Sequence, residues 1–158
     1  CAYELTNDYK KDQSNTVDAI EKIEVFLEDY LDSQYYEKAI ILKSELKYKL
    51  VKKEYESAVL YMKLEEYKSA LVYLLDILNN YNETSFYAEA EKNLIDDVRI
   101  TVIYAYILDE NYDIAQEFYN LHKDNFTNLK LKDKAYSLIN EPYNTFNALK
   151  DIYFGISK

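Results

Sequence analysis

A single glycine and a single proline occur in this chain of 158 residues, and their scarcity restricts its possible folds more than any other feature. Tight β-hairpins need residues that tolerate positive φ, and phosphate loops and dinucleotide fingerprints need several glycines. β-sandwiches, P-loops and dinucleotide-binding folds are therefore excluded. A hydrophobic fraction of 49% is too high for a disordered or collagen-like chain. We predict an all-α fold in a single domain, residues 1–158, long enough to bury a core.

Apolar residues recur three or four positions apart between short polar interruptions, which predicts a series of amphipathic helices. Asn15 and Thr16 are expected to cap the first helix, which runs to about residue 30, and residues 32–33 and 82–84 to cap two others. The later helices are predicted over about 35–64, 67–79, 85–108, 111–122, 129–139 and 142–154.

One pattern occurs twice, first as Ala58-x-x-Tyr61-x-x-Leu64-x-x-Tyr67-x-x-Ala70 and then as Ile103-x-x-Tyr106-x-x-Asp109-x-x-Tyr112-x-x-Ala115. Each copy consists of an aromatic residue in a first helix, then a polar turn, then an aromatic residue at the start of the next helix. A small residue follows three positions later. This pattern is typical of tetratricopeptide repeats, in which the small residue lets two antiparallel helices approach closely. Ala19 and Ile23 match the second helix of an upstream repeat.

The repeats predict a tetratricopeptide-like solenoid of helical hairpins, with a repeat-like core over about 15–124 and a C-terminal cap over about 125–158. Tyr67 and Tyr112 lie 45 residues apart, instead of the usual 34, so the first helices are expected to be long. The apolar residues of 129–155 are expected to form two helices that cover the last repeat. The alternative is that they form a detachable arm that binds a partner.

Three segments are more specific than a generic repeat. They are Phe26-Leu-Glu-Asp-Tyr-Leu-Asp-Ser-Gln-Tyr-Tyr-Glu-Lys-Ala39, Leu46-Lys-Tyr-Lys-Leu-Val-Lys-Lys-Glu-Tyr-Glu-Ser-Ala58, and Tyr67-Lys-Ser-Ala70 through Tyr81-Asn-Glu-Thr84. In this order and spacing they resemble the BamD family of lipoproteins of the outer-membrane β-barrel assembly machinery, over roughly residues 17–122. Leu31 and Asn82 stand where the family has the prolines of its Tyr-Pro motifs.

The resemblance implies a scaffold on the periplasmic face of the outer membrane. Such a scaffold would hold protein partners, the barrel-assembly subunits such as BamA, and help to dock nascent outer-membrane proteins. The alternative is a tetratricopeptide adaptor lipoprotein that serves another cell-envelope or secretion assembly.

The sequence contains one cysteine, Cys1, which excludes a disulfide within it. Bacterial lipoproteins begin, once mature, with a cysteine that carries the lipid, and the BamD resemblance implies lipid attachment at Cys1. The alternative is an arbitrary start of the sequence at this residue. No run approaches the roughly 20 apolar residues of a membrane span, so we expect attachment through the lipid anchor only.

The charge balance argues against nucleic acid as a partner. Lys and Arg number 19 against 29 for Asp and Glu, the net charge is −10, and Arg99 is the one arginine. Five lysines form a local basic stretch, which is expected to be a solvated helix surface: Lys43, Lys47, Lys49, Lys52 and Lys53.

Catalysis has little support, and we predict that the protein is not an enzyme, binds no small-molecule substrate, and uses no cofactor or metal. His122 is the one histidine, too few for a histidine-based zinc site. The acidic pairs Asp96–Asp97 and Glu28–Asp29 are adjacent on predicted helices and point about 100° apart, so each is expected to be a solvated face.

Nineteen tyrosines suit a binding surface, because tyrosine combines a rigid apolar ring with a hydroxyl group. Aligning Ala58 with Ile103 as close-packing positions predicts a two-part groove on the first helices. The predicted groove residues are Tyr55, Val59 and Met62 in one part, and Ile100, Tyr104 and Ile107 in the next. A partner or the chain's own terminal helices would cover this groove; the alternative is that these side chains pack within the core.

Overall fold

The structure, a computed structural model, describes residues 12–140, which form six α-helices and one short 3₁₀ turn and contain no β-strand. The helices are α1 (Ser14–Asp29), α2 (Tyr36–Lys63), α3 (Tyr67–Asn80), α4 (Glu89–Leu108), α5 (Tyr112–His122) and α6 (Leu129–Asn140), with the 3₁₀ turn at Glu83–Ser85. The predicted all-α, tetratricopeptide-like fold class is confirmed.

Each helix packs on the next one along the chain, and α2 also contacts α4, which in turn contacts α6. The first helices of successive hairpins therefore lie side by side, and α3 and α5 pack behind them. Helix α6 occupies the place of a first helix in the following hairpin. The second predicted capping helix, 142–154, lies outside the described residues, so the division into core and cap stays a prediction.

The two hairpin turns have the same geometry, 45 residues apart. Glu65 and Glu110 adopt φ values of 61° and 60°. The Glu66 N–H donates to the Tyr61 carbonyl at 3.0 Å, and the Asn111 N–H donates to the Tyr106 carbonyl at 2.8 Å. This left-handed residue with a six-to-one hydrogen bond is the Schellman motif, which ends a helix and reverses the chain.

The predicted close-packing positions Ala58, Ala70, Ile103 and Ala115 are all buried, which confirms the register of the repeat. The aromatic contacts repeat with the same period. Tyr61 stacks on Tyr73 with ring centroids 5.4 Å apart, and Tyr106 packs on Phe118 at 6.4 Å. A hydrogen bond with Tyr61 raises the pKa of the Tyr73 hydroxyl.

Two predicted helix starts are wrong. Thr16 is a buried residue in the first turn of α1, not its cap; its hydroxyl donates to Gln13 Oε1 at 2.7 Å. Asn82 caps the 3₁₀ turn, where its Oδ1 accepts the Thr84 N–H at 3.0 Å. Phe86 and Ala88 are then extended, so α4 begins at Glu89, four residues later than expected.

Apolar packing forms a main core that extends from Val51 in α2 to Leu138 in α6. A second, smaller cluster joins α1 to the first half of α2 through Ala19, Ile20 and Leu46. Because the two clusters are separate, α1 is held by much less buried apolar surface than the hairpins.

A buried network of hydrogen bonds connects the loop between α5 and α6 to α4. Asp96 is fully buried, and its Oδ2 accepts the N–H groups of Thr127 and Asn128 at 2.9 and 2.7 Å. The Arg99 guanidinium donates to Asp96 Oδ1 and to the Asn125 carbonyl, both at 2.8 Å. The predicted solvated face at Asp96–Asp97 is therefore wrong, whereas Glu28 and Asp29 are exposed as expected.

Candidate partner-binding groove

An open groove runs along the second half of α2, with a volume of about 620 Å³. Its walls are Tyr48, Lys52, Tyr55, Glu56, Val59, Leu60 and Lys63 from α2 and Leu94 from α4. We refer to it as the α2 groove.

Helical periodicity places most of these side chains on one face of α2, since Tyr48, Lys52, Tyr55, Val59 and Lys63 follow one another at intervals of three or four. Helix α4 packs beside α2 and closes the opposite wall with Leu94. The groove is thus a product of the side-by-side first helices, as in a tetratricopeptide solenoid.

A hydrogen bond holds the central ring of the groove in place. The Tyr55 hydroxyl lies 3.1 Å from Thr101 Oγ1. Thr101 uses its own hydroxyl proton to donate to the Asp97 carbonyl at 2.7 Å, so Tyr55 is the donor in this pair. The tyrosine thereby spans from α2 to α4, with its hydroxyl satisfied and its ring half-buried.

The structure separates the six predicted groove residues into two groups. Tyr55 and Val59 are half-buried and line the α2 groove. Met62, Ile100, Tyr104 and Ile107 are buried in the main core. Ile107 also borders a smaller cavity of about 200 Å³ beside α6. A role in partner binding stays a prediction for all six.

Sequence reasoning missed the other walls of the groove. Leu60 is 56% exposed, and Lys52 places its ammonium 5.9 Å from the centre of the Tyr48 ring. Periodicity around Tyr55 could have identified Tyr48, Lys52 and Lys63, because they lie on the same helix face. Leu94 comes from a helix whose packing the sequence pattern does not specify.

The basic stretch of α2 is not the solvated surface that was predicted, since all five of its lysines are half-buried. Lys43 and Lys47 approach Glu24 of α1 at 3.9 and 3.7 Å. Lys52 lines the α2 groove. Lys43 and Lys47 therefore lie at the contact between α1 and α2.

A second opening of about 800 Å³, the N-terminal cleft, lies between α1, the first half of α2 and residues 84–87. Leu27, Leu31, Lys43 and Lys47 are among its walls. Buried Ser44 closes its base: its hydroxyl donates to Glu91 Oε2, and its oxygen accepts the Tyr87 N–H at 2.7 Å. These two hydrogen bonds connect α2 to the start of α4 and to Tyr87, which precedes it.

Acidic groups gather on the other side of α2, toward α3. Burial raises the pKa of Glu54, and the Asp76 carboxylate raises it further. Burial also raises the pKa of the Tyr81 hydroxyl, with added contributions from Glu54 and Asp76. Glu54 and Asp76 thus face each other between α2 and α3, whereas Lys52 and Lys63 line the groove.

Within residues 12–140, we find no group of three or more histidine, cysteine or acidic residues placed to hold a metal ion. No helix in this range has the length and apolar content needed to cross a membrane. The His122 ring packs on Phe118 with centroids 4.3 Å apart. Cys1, the predicted lipid-attachment site, lies outside the described residues.

The family description YfiO, outer membrane lipoprotein, matches residues 2–95, which include α1 to α3 and the first turns of α4. The match begins nearer the N-terminus, and ends earlier, than the range of 17–122 inferred from sequence motifs. No curated protein matches the chain. Because the matched residues make up more than half of the sequence, the chain belongs to the YfiO family of outer membrane lipoproteins.

Proposed function

We propose that the protein is a lipid-anchored scaffold of the outer-membrane β-barrel assembly machinery. On the periplasmic face of the outer membrane, it would hold partner subunits such as BamA through surfaces formed by its helix pairs. Membership of an outer membrane lipoprotein family carries this proposal. The helical hairpins and the open α2 groove support it, because stacked helix pairs expose extended concave surfaces that bind other proteins.

Lipid attachment at Cys1 is part of the proposal. A lipoprotein carries its lipid on a cysteine, and this sequence contains one. We expect the precursor with Cys1→Ser to be released from membranes, because the lipid would supply the main attachment. Membrane fractionation tests this expectation, and retention of the variant after a high-salt wash would show that protein contacts suffice.

We further propose that the protein acts by binding, without bond-making chemistry, cofactor, metal or nucleic acid. The α2 groove favours this view, since it combines apolar and aromatic walls with peripheral charges, a composition typical of protein interfaces. A screen for hydrolase activity, with His122→Ala as control, tests it: activity in the native chain that is lost in the variant would contradict it.

Affinity purification from membranes solubilised in mild detergent tests the scaffold role. An unrelated lipoprotein carrying the same tag serves as the control. Recovery of β-barrel assembly subunits with this chain, and not with the control, is the expected result. Recovery of a different envelope or secretion assembly would overturn the proposal in favour of another adaptor role.

A further inference from the structure

Helix α1 is held differently from the second helices of the two hairpins. Helix α3 packs between α2 and α4, and α5 packs between α4 and α6, whereas α1 packs on α2. Ala19, Ala70 and Ala115 occupy equivalent positions in these three helices, and each is buried. Among the described residues, α1 is thus held mainly by one helix, while α3 and α5 are each held by two.

The apolar cluster between α1 and α2 is separate from the main core. It consists of buried Ala19, Ile20 and Leu46, with Ile23 and Leu50 packed against them. Residues that share one continuous core unfold together, whereas a small separate cluster can open by itself. The main core can therefore keep its packing when α1 leaves α2.

The first half of α2 has attachments that do not involve α1. The Ser44 hydroxyl donates to Glu91 Oε2, and its oxygen accepts the Tyr87 N–H at 2.7 Å. The Tyr87 hydroxyl donates to Glu37 Oε1 in the first turn of α2 at 3.3 Å. These hydrogen bonds connect α2 to the start of α4 and to the segment before it, so we expect α2 to stay in place when α1 opens.

The turn between α1 and α2 is suited to act as a hinge. None of residues 30–35 is buried, and Tyr30, Leu31 and Tyr35 are between 59% and 66% exposed. Hinges are short segments at the ends of elements that absorb changes in backbone angles. Since no side chain of this turn belongs to either apolar cluster, its backbone can change conformation without loss of core packing.

A charged contact accompanies the small apolar cluster. Glu24 Oε1 of α1 lies 3.9 Å from Lys43 Nζ and 3.7 Å from Lys47 Nζ of α2. One carboxylate close to two ammonium groups favours the packed position of α1, because opposite charges at this distance attract. A cation in place of Glu24 would repel both lysines.

We propose that α1 is a strap, which opens from α2 as a unit about residues 30–35 while α2 to α6 stay folded. In its closed position the strap covers a strip of α2 that contains Leu46 and Leu50, and Glu24 helps to keep it closed. Opening uncovers this apolar strip. The inference concerns a motion of the fold and goes beyond the proposed scaffold function, on which it does not depend.

Thiol labelling at two equivalent buried alanines tests the motion. The variants are Ala19→Cys and Ala70→Cys, each in the full chain with Cys1→Ser, and both alanines are 0% exposed. We expect the thiol in α1 to react with iodoacetamide at least about tenfold faster than the thiol in α3. Its rate should also rise less steeply with urea, because opening of the strap exposes less surface than global unfolding. Equal rates, or equal dependence on urea, would overturn the inference.

Hydrogen exchange of the unsubstituted chain, followed by mass spectrometry, distinguishes a strap from fraying of the whole N-terminal end. We expect the amides of α1 to exchange faster than those of α3, while residues 39–50 of α2 stay as protected as α3. Joint exchange of α1 and residues 39–50 would overturn the inference, because α2 would then open with α1. Equal protection of α1 and α3 would overturn it as well.

Glu24→Lys and Glu21→Lys are matched charge variants, since both make the same change on α1 and Glu21 is exposed. We expect Glu24→Lys to speed the exchange of α1 by about threefold or more, because two attractions become repulsions, and to leave α3 and α4 unchanged. Glu21→Lys should have a smaller effect on α1. Equal effects of the two variants, or equal acceleration of α1, α3 and α4, would overturn the inference.

Discussion

Two glutamates occupy backbone conformations that favour glycine. Glu65 and Glu110 have φ near +60° in equivalent turns. A side chain with a β-carbon is strained in this region, at a cost of about 1–2 kcal/mol per residue. Both turns nonetheless form, because buried apolar contacts stabilise the packing of the helices on either side. The single glycine of the sequence is not needed at either position.

We predict that Glu65→Gly is more stable than Glu65→Ala by about 1 kcal/mol, because both substitutions remove the charge but the glycine alone removes the β-carbon. The same difference is expected between Glu110→Gly and Glu110→Ala. Urea denaturation followed by circular dichroism gives the free energies of unfolding. Equal stability of the glycine and alanine variants would show that the left-handed turns are not strained.

Asp97 makes stability depend on pH. Burial, with the Asp96 carboxylate, raises the pKa of Asp97 to about 6, against an opposing effect of Lys134. The native state therefore holds the proton more tightly than the unfolded state, and stability falls as the pH rises from about 4 to about 6. The stabilisation is greatest below this range.

We predict that Asp97→Asn raises the free energy of unfolding by about 1 kcal/mol at pH 7.5, after allowing for solvent screening, since asparagine imitates the neutral acid. The gain should disappear toward pH 4. Urea melts at several pH values measure it, with Asp133→Asn as an exposed control that removes the same charge. A gain at pH 4 as large as at pH 7.5 would contradict the assignment.

At this scale the sequence could not predict the environment of Asp96. Asp96 and Asp97 resemble a solvated acidic pair in the sequence, but the donors to Asp96 Oδ2, Thr127 and Asn128, lie 31 and 32 residues away. Burial of a carboxylate is tolerated where such donors satisfy it, and these donors depend on tertiary packing.

At the scale of elements, local signals predicted α3 and α5 to within a residue, because their turns and apolar spacing are encoded in adjacent positions. The start of α4 was wrong because long-range contacts keep 86–88 extended. Phe86 is buried in the main core, and the Tyr87 N–H bonds to Ser44, 43 residues earlier. Capping propensity at Asn82 could not reveal either contact.

Helix α4 also explains why most of the predicted groove is buried. It contacts α2, α3, α5 and α6, so little of its surface is free, and its second half, residues 100–108, is largely apolar on all sides, as expected for a helix in such a place. Repeat alignment correctly relates Ile100 to Tyr55 by position. The alignment could not predict that α6 packs on α4, whereas the equivalent positions of α2 border an open groove.

We predict that Ala70→Arg destabilises the α2–α3 hairpin by about 3 kcal/mol or more, because a charged side chain would replace a methyl group at a fully buried position. Val72→Arg is the matched control on the same helix, since Val72 is 68% exposed. Thermal melting by circular dichroism measures both. If Ala70→Arg melts like Val72→Arg, the close-packing register is wrong.

At the scale of the whole molecule, the segment after α5 is predicted to be a cap. Truncation after Asp124 would remove α6 together with Thr127 and Asn128, the donors to Oδ2 of buried Asp96. We expect loss of solubility or of a cooperative thermal transition, because the truncation exposes apolar core and leaves a buried carboxylate without those partners. A soluble, cooperatively folded remnant that lost only a partner would establish the alternative, a detachable arm.

Under the proposed function, this protein supports the assembly of outer-membrane β-barrels. Depletion of the protein in its native cell, with rescue by the intact gene as control, tests this role. The measurement is the amount of folded β-barrel protein in the outer membrane, resolved from unfolded protein by its migration in unheated gel samples. We expect the amount of folded barrels to decrease while other lipoproteins keep their levels; an unchanged amount of folded barrels after complete depletion would contradict the proposed role.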